Sequence, residues 1–276
     1  MTEKPTSADR YNVPGLARGL HLLMQFNRDE RELSGAELSR RLGLPRASVF
    51  RMLFTLEQSG FLERCPDGVS YKLGLAVLRL GFELLASMEL TEVGRPVIEV
   101  LRDRSGFSAH LVVRDARDVV FIAKAAGSNS MFHSIQVGAR LPAHATVLGR
   151  TLLSDMDMND LAALYPEKTL PAFTPKTPTN LPALKVLIDQ DRDKGYGVSM
   201  GGYETGISTI AAPVFNEQGR VTAAISISVP SQRIEDEALL PLVDLVKAAS
   251  AQLTERLSYL PQSSSRPAQN KGKKTS

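Results

Sequence analysis

The apolar positions change period along the chain, and the changes mark out its elements. Over residues 16–26, "LARGLHLLMQF", Leu16, Leu20, Leu23 and Met24 recur at helical spacing and predict a first helix. His21 lies in that run as a surface or packing residue, and "NRDERE" follows as a polar turn. A second helix opens at Ser34, which with Glu37 has the spacing of a capping box. Ala36, Leu38 and Leu42 point inward in it, Arg40 and Arg41 outward, and Gly43 is placed to end it. Pro45 suits the first turn of a third helix running to residue 59 and stopping at Gly60, with Val49, Met52, Leu53 and Leu56 as its buried stripe. "FLERCPDGVSYKLG" then reads as strand, turn, strand around Pro66-Asp67-Gly68. Helices followed by a hairpin predict a winged helix-turn-helix over residues 14–75.

Residues 76–90 predict a linker helix at a subunit interface, and Gly94-Arg95-Pro96 predicts a break with a new helix beginning at Pro96. From Phe107 the period shortens. "FSAHLVVRDARDVVFIAKAAG" predicts two strands around a turn at residues 115–118, and "SMFHSIQVG" a third. "AHATVLGRTLLSDM" and "LPALKVLIDQDRDKG" predict helices, the latter capped near Gly195. "GISTIAAPVFNEQGRVTAAISISVP" predicts two strands joined at residues 216–219, and "EDEALLPLVDLVKAASAQLTERLSYL" a long last helix. The alternation predicts a two-domain α/β chain. Its second domain, residues 91–260, is an α/β sensor on a PAS/GAF-like plan with a mainly antiparallel sheet.

Composition changes this picture little. The chain has 276 residues, 43% of them hydrophobic, enough for two domains. It holds no apolar run long enough for a membrane span and no secretory pattern at its start, so a cytoplasmic protein is expected. The single cysteine, Cys65, excludes an internal disulfide and a cysteine-rich zinc site, and the four histidines form no metal spacing. No cofactor is expected. The net charge of +3 owes most to residues 261–276, a disordered tail by composition carrying Arg266, Lys271, Lys273 and Lys274. Overall basicity therefore says nothing about nucleic acid, and local pattern has to carry that case.

That pattern is the outward side of the third helix. Arg46, Ala47, Ser48, Phe50, Arg51 and Thr55 combine guanidinium forks, hydroxyls and an aromatic near a helix start, the chemistry that reads base edges and phosphates. Arg64 and Lys72 in the wing are candidates for the backbone. Residues 14–75 carry nine Lys/Arg against seven Asp/Glu, so one copy would hold a duplex weakly. Paired copies on a palindromic or repeated site are expected. The competing reading is a small helical domain for protein contacts.

In the second domain, Val137, Gly138 and the helix start near His144 can meet an anion. The loop "VSMGGYETG" offers Ser199, Tyr203 and Glu204, and Thr209, Ser226 and Ser228 are hydroxyls on strands otherwise rich in β-branched residues. No phosphate loop or nucleophile elbow is present, so the expectation is a binding domain and not an enzyme; the alternative is a small-molecule-metabolising enzyme with an accessory helical domain.

Taken in order, "GLARGLHLL", "LSRRLGLPRASVFRMLFTLEQSGFLE", "YKLGLAVLRLG", "LPAHATVLGRTLL", "DKGYG", "GISTIAAPVF" and "TAAISISVP" resemble the IclR family of bacterial transcriptional regulators over residues 14–258. The resemblance implies operator binding by homodimers, or by tetramers made of two dimers, and response to a small metabolite, often a carboxylate or aromatic acid. It also implies an effector pocket at Val147 and Leu148, Ser199, Thr209, Ser226 and Ser228. The two serines match the family. Val147 and Leu148 are bulkier than the Gly-Ala pair of its glyoxylate- and pyruvate-sensing members, Ser199 stands in place of an acid and Thr209 in place of a thiol. The resemblance thus implies a less acidic pocket, with less repulsion for a ligand carboxylate. The effector expected is an organic acid, a semialdehyde or lactone, or an aromatic acid that releases or repositions a repressor of a catabolic operon.

Overall fold

The computed structural model describes residues 13–27, 29–87, 89–127, 135–231 and 234–258, with side chains left undescribed at residues 82–87 and 89. The tail at residues 261–276 and most of the third strand expected at residues 130–138 lie outside the described residues. The chain divides into two compact units after residue 87.

The first unit contains α1 (Pro14–Leu23), β1 (Leu33–Ser34), α2 (Gly35–Leu42), α3 (Arg46–Gln58), β2 (Leu62–Arg64), β3 (Ser70–Leu73) and α4 (Leu75–Ser87). Ser34 caps α2 by accepting from the Glu37 N–H at 3.2 Å. The Glu37 carboxylate does not close the box but turns to Arg40 and Arg41, so only half of the expected motif forms. Gly43 ends α2 in the left-handed region at φ 61°, where a side chain would be strained. The wing turn is fastened by the Asp67 carboxylate, which accepts from the Val69 and Ser70 N–H groups. Leu22, Phe26, Leu33, Leu38, Val49, Leu53, Leu62 and Tyr71 form the core.

Three expectations change here. Leu16, Leu20 and Met24 are exposed, because α1 buries its other apolar stripe, Leu22 with Phe26 just beyond the helix. Both stripes satisfy helical spacing, and period alone cannot choose between them. Ala36 is exposed. Part of "NRDERE" leads into β1, whose two residues pair with β3 and are too few to show a pattern.

The second unit begins with α5 (Glu89–Ser105), which runs straight through the expected break and holds Pro96 inside it. An interior proline forfeits a backbone hydrogen bond, at a cost of about 3 kcal/mol or more. Burial of Val97, Ile98 and Leu101 opposes that cost. Gly94 is where the helix meets the sheet: a Cβ there would stand 2.4 Å from Leu111 Cδ2.

The sheet is antiparallel throughout, in the order β6-β5-β4-β9-β8-β7. Its strands are β4 (Ser108–Asp115), β5 (Asp118–Ala125), β6 (Arg140–Pro142), β7 (Gly197–Met200), β8 (Ser208–Phe215) and β9 (Val221–Val229). One face carries α5 and α9 (Asp236–Ser258), and the other carries α6 (Val147–Leu152), α7 (Met158–Leu164) and α8 (Leu181–Lys194). Residues 135–138, expected to close a strand, form a turn, and pairing resumes at β6. The helix expected at residues 143–156 is split: a 3-10 turn (Ala143–Ala145) leads to Thr146 in extended conformation, which caps α6. Gly149 permits the join, since a Cβ there would lie 1.9 Å from the Ala143 carbonyl oxygen.

Candidate functional site: an outward helix face and an enclosed cavity

In the first unit, the chemistry-bearing side chains collect on α3. Pro45 stands at the N-cap with φ −57° and ψ 138°, and Val49 and Leu53 fix the inward side. Arg46, Ala47, Phe50, Arg51 and Thr55 are exposed, and Ser48 is half-buried. The Thr55 hydroxyl donates to the Arg51 carbonyl at 2.9 Å, so its proton is committed to the helix. Phe54, which sequence reasoning passed over, is 53% exposed and sits one turn beyond Phe50, itself 58% exposed. Its position opposite Val49 and Leu53 was the available signal.

Charge separates this face from its surroundings. Arg40 pairs with Glu37 at 2.6 Å, Arg41 with Glu37 and Glu30, Arg64 with Glu57 at 3.0 Å, and Lys72 with Glu63 at 3.2 Å. Hydrogen bonds from Arg40 and Arg41 hold the Glu37 carboxyl down to about 2. Arg64 also donates to the Gly68 carbonyl and covers the Tyr71 ring at 4.8 Å. Among the described residues Arg46 and Arg51 have no ion-pair partner. The two wing cations are therefore already neutralised locally, whereas the two on α3 are free to meet an outside anion.

The second unit holds a partly open cavity of about 90 Å³ between the sheet and α6. Its sheet wall is a row of hydroxyls one register step deep. Ser199 on β7 stands opposite Thr209 on β8, Thr209 opposite Ser228 on β9, and Ser228 opposite Ser108 on β4. All four line the cavity. Ser199 Oγ accepts from the Gly202 N–H at 3.1 Å and Ser108 Oγ from the Gly127 N–H at 3.0 Å. Each keeps its own proton to donate. One step further along the strands come Gly197, Ala211, Ser226, His110 and Lys124, again in register. The apolar walls include Phe107, Phe121, Ile135, Leu141, Val147 and Leu148, and among the described residues no lysine or arginine lines the space.

Two devices set the shape. Arg150 on α6 donates to Asp191 on α8 at 2.7 Å and to the Val198 carbonyl on β7 at 3.4 Å, with its side chain only 7% exposed. Burial pushes the Asp191 carboxyl up while Arg150 draws it back. The pair ties α6, which carries Val147 and Leu148 to the cavity, to α8 and β7. The second device holds the loop after β7. Thr174 donates to the Gly201 and Gly202 carbonyls, Thr177 to the Gly202 carbonyl and Lys176 to the Met200 carbonyl. Phe173 rests on Tyr203 at 5.0 Å between ring centres.

Of the effector residues expected from sequence, Val147, Leu148, Ser199, Tyr203, Glu204, Thr209 and Ser228 meet at this cavity. Val137 and Gly138 are exposed on a turn outside its lining. His144 is buried elsewhere, its Nε2 2.9 Å from the Pro171 carbonyl and its ring against Tyr165 and Phe173. Ser226 faces the same side of the sheet but lies behind the lining, buried and, among the described residues, without a hydrogen-bond partner. Ser108, His110, Phe121 and Thr146 were missed. Ser108 and His110 alternate in β4 as the two serines do in β9, but only the pairing of those strands makes them one surface.

Two family models cover most of this architecture. The IclR helix-turn-helix domain matches residues 15–66, and the C-terminal domain of bacterial transcriptional regulator IclR matches residues 82–255. The chain belongs to the IclR family of bacterial transcriptional regulators. As an IclR protein it has the two-domain fold expected from sequence, a helix-turn-helix unit and an α/β effector-binding unit, and it sits in a family of regulators and not of enzymes. It is 29% identical over 247 residues to the HTH-type transcriptional regulator XynR of Escherichia coli, covering 90% of this chain and 98% of that one. It is 32% identical over 247 residues to the Pca regulon regulatory protein of Pseudomonas putida, covering 89% and 84%. Among solved structures, an IclR homolog from Microbacterium hydrocarbonoxydans complexed with 4-hydroxybenzoate matches with a TM-score of 0.75 at 28% identity, over 88% of this chain and 98% of that one. Among the described residues, no helix is long and apolar enough to cross a membrane.

Proposed function

We propose that this IclR protein represses a catabolic operon, reads a palindromic operator with α3, and is released or repositioned by a compact organic acid, with an aromatic acid favoured over a lactone or semialdehyde. The observation that carries the effector reading is the row of four hydroxyls facing apolar walls across a small, partly open cavity. Hydroxyl protons and backbone N–H groups can hold a carboxylate without a cation, and the Phe107, Phe121 and Leu148 side chains suit a flat apolar body. The 4-hydroxybenzoate held by the Microbacterium homolog supports the same class.

For DNA, Arg46 and Arg51 supply the free guanidinium groups, with Ala47, Ser48, Phe50 and Thr55 beside them; Arg64 and Lys72 reach phosphates only by giving up their glutamates. One copy has too little net charge to hold a duplex tightly, so the regulator works as a homodimer or as two dimers. The exposed stripe Val13, Leu16, Leu20 and Met24 on and beside α1, together with Leu75, Leu78 and Leu80 on α4, offers the apolar area for that pairing. Effector control requires that the ligand bind the two geometries of the dimer with different affinity. Operator fragments selected from a random pool, titrated with benzoates and aliphatic acids, test this. Operator affinity that stays constant while a bound acid saturates the protein would overturn the switch.

A further inference from the structure

Among the described residues that line the cavity, one buried polar side chain is accounted for neither by the hydroxyl row nor by the protein's own hydrogen bonds. His110 points from β4 into the lined space, is 3% exposed, and has Nδ1 buried without a partner. Among the described residues its other ring nitrogen makes no hydrogen bond either. Its ring meets Phe121 edge-on, with centroids 5.4 Å apart and planes at 89°. Directly opposite on β9 the Ser226 hydroxyl is equally buried and, among the described residues, unpartnered. Buried polar groups are bonded in the great majority of cases, so two in register beside a cavity mark an unfilled requirement. Burial, with Lys124 opposite adding to it, pushes the imidazole down to about 3, so it faces the cavity neutral, with one donor and one acceptor nitrogen.

Position turns this into a statement about the ligand. His110 lies two residues beyond Ser108 on one strand, so the imidazole and the hydroxyl row are separated by about 7 Å along the sheet. A molecule spanning them needs a polar group at each end and a flat apolar middle against Phe121 and Leu148. We propose that His110 is the specificity-determining residue of the effector cavity, hydrogen-bonding a hydroxyl at the end of the ligand remote from its carboxylate, so that the effector is a hydroxylated ring acid and not a singly functional one. This rests on the reading of the cavity as an acid site.

The test uses the full-length protein with 4-hydroxybenzoate and benzoate as probes in isothermal titration calorimetry, on the wild type and on His110→Phe. The variant keeps a ring against Phe121 and removes both nitrogens. Wild type should bind the hydroxylated acid at least about tenfold more tightly, because a site built around a hydroxyl leaves its own polar group unpaired when that hydroxyl is missing. His110→Phe should bring the ratio to near one while benzoate still binds. Independently of any variant, the ¹⁵N resonances of the His110 ring should shift when 4-hydroxybenzoate binds and stay close to place with benzoate. Equal affinity of wild type for both acids, or a ratio unchanged in His110→Phe, overturns the role of His110 and leaves the acid site standing. Binding of neither acid removes the acid site itself, and this inference with it.

Discussion

The two units place their polar chemistry on opposite sides of their surfaces. Among the described residues of the first, the ion pairs lie at or near the surface: Glu37 with two arginines, Glu57 with Arg64, Glu63 with Lys72; two arginines on α3 are left without one. The second unit also carries surface pairs, such as Arg117 with Glu167 and Arg140 with Asp115, but it adds an interior set. Arg150 and Asp191 are paired inside, and Ser108, His110, Thr209 and Ser228 gather around a partly open cavity. The difference follows from partner size. A duplex is too large to enclose and has to be met by a convex, solvated, cationic face. A metabolite is small enough to be surrounded, and removal from water makes each hydrogen bond to it selective.

Experiments that sharpen the contrast can be ordered by expected size. Arg150→Ala should cost about 3–5 kcal/mol in chemical denaturation of the second unit, because Asp191 is left charged and buried. Asp191→Ala on top of it should recover much of that loss; a double variant no better than the single would mean that the pair does not act as a unit. Arg46→Ala and Arg51→Ala should each weaken operator binding by about 1–3 kcal/mol if the side chain meets a base, and lower the salt slope by about 1 if it meets a phosphate. Either variant retaining full affinity at physiological salt would show that its side chain is not on the DNA, and neither should change the melting temperature.

The next effect depends on pH. Free histidine titrates near 6.5, whereas burial holds His110 at about 3. Between those values the unfolded chain binds a proton that the folded chain refuses, so stability contributed by neutral His110 is lost as pH falls through that window. The stability difference between wild type and His110→Phe should therefore change by at most about 1.4 kcal/mol per pH unit below pH 6.5, and flatten above it. A difference independent of pH would show the imidazole to be solvated. The smallest effect belongs to Arg64→Ala, whose exposed pair with Glu57 should leave stability almost unchanged by thermal unfolding. A large loss there would mean that its cover over Tyr71 matters more than its charge.

Local chemistry explains what could be read in advance. The α2 cap at Ser34, the αL glycines at 43 and 195, the wing turn at Asp67 and Gly68, and the strand pairs around residues 115–118 and 216–219 each depend on a few neighbouring residues. Their signals are complete within the segment that uses them. The order of seven motifs along the chain likewise carries the resemblance to the family. The readings that changed depend on a distant neighbour. Pro96 stays inside α5 because the sheet holds the helix at Gly94, and α1 buries Leu22 instead of Leu16 because the rest of the unit packs on that side.

The cavity shows the same division most clearly. Sequence alone determined that hydroxyls at 209, 226 and 228 lie on or beside strands, that Val147 and Leu148 lie in a helical segment, and that residues 45–59 form an amphipathic helix with arginines on its outer side. Only the tertiary structure decided that Ser199 lies on β7, that four strands align their hydroxyls in one row, that His110 completes the wall while His144 does not, and that among the described residues Arg46 and Arg51 remain unpaired while Arg64 and Lys72 do not. The reason is range. Capping, turn and periodicity act over a few residues, whereas strand register and ion pairing join positions that the chain brings together only after it has closed on itself.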